Sequence, residues 1–90
     1  MSSIVIVLPK IEDGKRIRDI LTKRGYEIAA VCSTAAAALG EMNNLSGGIV
    51  ICGYKLPDMF FTDLNECMPR SFQMLLIASS RALSAVEGTG

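Results

Sequence analysis

Gly47-Gly48-Ile49-Val50-Ile51-Cys52-Gly53-Tyr54-Lys55-Leu56-Pro57-Asp58-Met59 decides how this chain reads. Its short apolar run, opened by two glycines and closed by a third, has the pattern of a strand buried on both faces. The residues that follow, through Pro57 and Asp58, read as a loop. In a parallel α/β sheet, function sits just beyond the carboxyl ends of such strands. Here that position is Gly53, which has no side chain.

Outward from this stretch, strands and helices alternate. Ile4-Val5-Ile6-Val7-Leu8 is a second continuous apolar run, stopped by Pro9. Glu12 to Arg24 reads as a helix with acidic residues at its start, Lys23 and Arg24 in its last turn and Gly25 as its stop. Ile17, Ile20 and Leu21, with Ile11 before them, share one face, and Lys15, Arg16 and Asp19 point away. Tyr26 to Val31 is a more polar strand, as suits an edge. Ser33 or Thr34 caps a helix running from Ala35 to Met42. After the central stretch, a short helix fits Phe61 to Met68 and ends at Pro69. Met74-Leu75-Leu76-Ile77-Ala78 reads as a fourth strand, Arg81 to Glu87 starts a fourth helix, and Gly88-Thr89-Gly90 is a frayed end. Repeated alternation of this kind predicts a parallel sheet with helices on both faces.

Composition sets the outer limits. Ninety residues make one small domain, spanning 1–90, and a 50% apolar content is globular rather than disordered. Nine basic and nine acidic residues balance, which argues against binding DNA or RNA through this segment itself. Cys32, Cys52 and Cys67 are odd in number and lack metal-finger or CxxC spacing. With no signal peptide at the start, they predict reduced thiols in a cytoplasmic protein. The apolar run at Ile4–Leu8 is too short to span a membrane.

The segment ending Leu56-Pro57-Asp58-Met59, together with the unit closing on Arg24-Gly25-Tyr26, resembles the receiver domain of bacterial response regulators in two-component phosphorelays. The resemblance runs from Ile4 to about Val86. It implies a flavodoxin-like fold with sheet order 2-1-3-4, the chain ending before a fifth strand and helix. In that family an aspartate closes the third strand, four residues before the proline, and accepts a phosphoryl group; here it is matched by Gly53. The family's acidic pair after strand one, which holds Mg²⁺, falls on Leu8 and Pro9. Neither offers the carboxylate oxygens a hard cation needs. Ser79 matches the family's switch hydroxyl, and the lysine of strand five has no counterpart. Acceptor, metal pair and lysine are lost together, so the resemblance implies a pseudo-receiver with no catalytic residue, no metal and no cofactor. Glu12 and Asp13 lie a helical turn too late to replace the pair.

Pro9-Lys10-Ile11-Glu12-Asp13 and Cys52-Gly53-Tyr54 make the chain similar to degenerate receivers joined to ANTAR domains, helical modules that bind RNA hairpins and prevent transcription termination. The resemblance implies a non-enzymatic signalling module that dimerises or positions such an output domain, with RNA bound only by that further domain. Two alternatives belong to other classes: a phosphorylatable receiver with a displaced acceptor, and a small-molecule sensor using the crevice around Pro9, Gly53 and Ser79.

Several residues have plainer readings. Cys52, at the end of a buried strand with no His in the chain, is a small hydrophobe. The basic residues Lys10, Lys15, Arg16, Arg18, Lys23 and Arg24 alternate with Glu12, Asp13 and Asp19, as on a solvated face. Asp58 suits the turn after Pro57, and Asp63 suits the first turn of the third helix, without any cation. Of Phe60 and Phe61, at least one is expected to pack on the sheet. No glycine-rich phosphate cradle and no hydrolase triad is present. The apolar strand at Met74–Ala78, without proline or charge, predicts a homodimer, by strand pairing across a two-fold axis or by exchange of the C-terminal segment.

Overall fold

The structure, a computed structural model, describes residues 3–77. In chain order it contains β1 (Ser3–Val7), α1 (Ile11–Lys23), β2 (Ile28–Cys32), α2 (Ala35–Asn43), β3 (Gly48–Gly53), α3 (Phe61–Cys67) and β4 (Phe72–Ile77). All pairings are parallel, and the sheet order is β2-β1-β3-β4. This is the arrangement of the first four strands of a flavodoxin-like fold. The expected helix at Arg81–Glu87 and the frayed end at 88–90 lie outside the described residues.

Right-handed crossovers decide which face each helix covers. The step from β1 to β2 puts α1 on one side; the two steps back across the sheet put α2 and α3 on the other. Under α2 and α3, Val5, Val7, Val50, Cys52 and Phe72 pack with Ala35, Ala38, Met42 and Leu64. Under α1, Ile4, Ile6, Leu8 and Ile51 pack with Ile17. Adjacent residues of β1 thus feed opposite cores, which is why that strand is apolar without interruption after Ser3.

The helix boundaries follow local chemistry. Gly25 has φ 92°, and it closes α1 in a Schellman arrangement: its N–H donates to Thr22 O (3.1 Å) and the Tyr26 N–H to Leu21 O (3.1 Å). Arg24 is therefore the cap and not part of the last turn. At the other end the helix begins one residue earlier than its acidic start suggests, and Ile11 is left 38% exposed instead of joining the apolar face. Gly14 lets α1 lie close to the sheet, since a Cβ there would stand 2.7 Å from Val31 Cγ1.

The strand ends differ more from the expectation. β2 starts at Ile28 rather than Tyr26, because the Schellman turn consumes Gly25 and Tyr26. β4 begins at Phe72, two residues before the apolar run, and is described to Ile77. Phe72 is buried because its register with Gly48 carries it under the α2–α3 face.

Candidate functional site

The strand order turns back between β1 and β3, so the crevice of the fold opens where Leu8, Pro9 and Gly53 meet. Leu8 is buried and held by its N–H donating to Cys32 O (3.1 Å); Pro9 is exposed. Gly53 is buried, and a Cβ placed on it would lie 3.4 Å from Leu8 Cδ2 and 3.4 Å from Pro9 Cδ. The structure therefore brings together the three positions singled out in the sequence, and it brings them together as carbon against carbon. Ser79 lies outside the described residues.

This floor does not fit a divalent cation. Leu8, Pro9 and Gly53 present no side-chain oxygen, and hard cations take carboxylate and carbonyl oxygens. Among the described residues, no group of three or more His, Cys, Asp or Glu side chains is placed to hold a metal ion.

The wall of the crevice is the loop after β3, and it is well pinned. A bridge pairs Lys55 with Phe60 in antiparallel sense, and the Leu56 N–H donates to Met59 O (3.0 Å) across the turn at Pro57 and Asp58. Leu56 turns inward, 3% exposed, into the core beneath α2 and α3. Phe61 packs half-buried on that core and meets Tyr54 edge to face, ring centres 5.3 Å apart at 88°. Phe60 is 56% exposed. One of the two phenylalanines packs inward, as expected, and the other faces outward.

Asp58 carries the feature that the sequence did not disclose. Its two carboxylate oxygens accept from the Ala35 N–H (2.9 Å) and the Ala36 N–H (2.9 Å) at the start of α2. Thr34 Oγ1, the choice between Ser33 and Thr34, accepts from the Ala37 N–H (3.2 Å), and Thr34 O accepts from the Ala38 N–H (3.2 Å). Thus three orphan donors of that helix end, the N–H groups of Ala35, Ala36 and Ala37, are satisfied by side chains, two of them by a residue 22 and 23 positions further along the chain. The bonds from Ala35 and then Ala36 hold the Asp58 carboxyl below its ordinary value of 3.8. A faint signal was available: α1 and α3 carry acids in their first turns, and α2 has none. Asp58 is directed at α2 and Asp63 stays in the first turn of α3, so the two carboxylates serve separate helices.

The cysteines behave as packing residues. Cys52 and Cys32 are buried, both in register with Val7 of β1, and neither forms a disulfide. Burial pushes the Cys52 thiol up to about 11, and its Sγ donates to Gly53 O (3.0 Å). Burial, and next the charge of Glu41, raises the Cys32 thiol as well. Thiols so raised stay protonated at neutral pH and are poor nucleophiles. Cys67 is exposed on α3. On α1, Arg18 pairs with Asp19 (3.3 Å) at the surface, as expected of a solvated face.

No protein-family model matches the chain, and no curated protein matches it. Among the described residues, no helix is long and apolar enough to cross a membrane.

Proposed function

We propose that this chain is a degenerate receiver: a non-catalytic signalling module that works through its interfaces and self-associates. In this reading it dimerises or positions an RNA-binding antiterminator output, and RNA contact belongs to that further domain. Its working place is the cytoplasm, where three unpaired thiols stay reduced.

One observation carries the proposal. At the switch point of the sheet, Leu8, Pro9 and Gly53 close on each other with apolar atoms, where phosphoryl transfer would require a nucleophile and metal-holding carboxylates. The pinned loop supports it, because Leu56 and Asp58 commit the wall of the crevice to structural contacts.

Incubation with acetyl phosphate and Mg²⁺ tests it by intact mass. The expected result is an unchanged mass, also for Gly53→Asp, since a lone carboxylate without metal neutralisation faces an anionic phosphoryl group. An acid-labile phosphoryl adduct on any aspartate of the unaltered chain overturns the proposal.

A further inference from the structure

The two faces of β4 end differently. Met74 and Leu76 pack against the core beneath α2 and α3, whereas Leu75 points to the α1 side and is 53% exposed. On that side the strands place Val31, Ile6, Ile51 and Leu75 in one cross-strand row, from β2 through β1 and β3 to β4. Ile6 is 0% exposed and Ile51 6%, so the row is sealed in the middle and cut open at its last member. Beside it runs a largely apolar groove of about 320 Å³, lined by Ile4, Leu21, Tyr26, Ile49, Ile51 and Leu75, with Arg24 as its one charged member. Helix α1 covers β1 and β2 but leaves this half of the face open.

Among the described residues the edge itself carries none of the usual safeguards. Phe72–Ile77 contains no proline and no charged residue, and among the described residues β4 pairs only with β3. Its outward amides and carbonyls call for another strand. That strand must be mainly apolar on both faces, because β4 presents Phe72, Met74 and Leu76 on one and Leu75 and Ile77, beside Gln73, on the other. It must also bring no charge to the contact. β4 meets both conditions itself, and the balanced charge of the whole chain places no net repulsion between copies.

We infer that β4 is the self-association interface, pairing antiparallel with β4 of a second copy across a two-fold axis at Leu75. The inference rests on the self-association proposed above and names its surface. The register follows from geometry. A two-fold perpendicular to the sheet keeps each face on its own side, so opposed residues must belong to the same face. The axis then passes through a residue, not between two residues. Leu75 is the residue whose open side chain gains most by lying there. Its pairing extends the row as Ile51–Leu75 from each copy, and sets Met74 opposite Leu76 on the other face.

The 90-residue chain tests this in a Cys67→Ser background, which removes the exposed native thiol. The expected result is a dimer by sedimentation equilibrium at tens to hundreds of micromolar. Leu75→Lys should weaken association at least tenfold with an unchanged far-UV spectrum. Leu75→Cys should oxidise to a covalent dimer, since opposed residues on antiparallel strands stand about 4.5–5.5 Å apart. Gln73→Cys should not, because two copies of that position sit about 13 Å apart in this register. A monomer at high micromolar concentration overturns the inference and points to cover by the remaining residues of the chain. A dimer indifferent to Leu75→Lys, or one cross-linked through position 73, overturns it too. A phosphorylated chain would instead undo the functional reading and leave this interface standing.

Discussion

The two faces of one sheet show how differently a chain can finish the same job. Beneath α2 and α3, residues from every helix and strand of that side close over Val50, Cys52 and Leu64, each 0% exposed. Beneath α1 a single buried helix residue besides Gly14, Ile17, covers the row of isoleucines, and the cover stops before β4. Both faces draw on the same apolar strands. What separates them is the number of helices the crossovers deliver to each side, two against one. The closed face is therefore sealed from water, and the open one carries exposed apolar surface of the kind that marks interaction sites.

Substitutions on the two faces should separate sharply. Leu64→Ala, in the closed face, is expected to cost about 2–5 kcal/mol in denaturant unfolding, because the α3 anchor leaves a cavity. An effect below about 1 kcal/mol would mean that α3 is not part of the cooperative core. On the other side, Gly14→Ala sharpens how tightly α1 is seated. The new methyl gains helix propensity but meets Val31 Cγ1 at 2.7 Å, so a net loss of about 1–2 kcal/mol is expected. Adding Val31→Ala should recover part of that loss, and a double-mutant cycle measures how much.

The cap on α2 gives a pH signature belonging to the closed side alone. The folded chain holds the Asp58 carboxyl below 3.8, so folding favours its charged form. Its contribution is complete above 3.8 and fades as pH falls through the lower folded value. Asp58→Ala should lower the melting temperature at neutral pH, and the gap from wild type should close in acid. A gap that stays constant down to about pH 2 would assign the effect to the turn and not to the cap. The smallest effect is expected at the open face. Leu75→Ala, measured in dilute monomer, should shift stability by no more than about 0.5 kcal/mol, since half of that side chain is already in water.

Much of this was legible residue by residue. Ile4–Leu8 and Ile49–Cys52 announce strands because a β-branched run bounded by proline or glycine has few other conformations open to it. Gly25 announces the end of α1 because only a residue without Cβ enters that turn cheaply. Leu8, Pro9 and Gly53 could be named as one site through the family resemblance, and the fold then set them in contact.

Other features had no local signature. Asp58 reads as a turn residue in every window of the sequence, yet its oxygens bond a helix 23 residues away. Leu75 and Leu76 are indistinguishable by type and position. A strand apolar on both faces has no alternation from which to read direction, so only the pairing with β3 and the location of α1 decide which leucine is open. By itself the sequence determined the elements, their limits to within two residues and the absence of side-chain oxygen at Leu8, Pro9 and Gly53, because these follow from backbone preference and side-chain chemistry. The tertiary structure alone decided what caps α2, which face of β4 stays open and how far α1 reaches, because each depends on where distant segments meet in space.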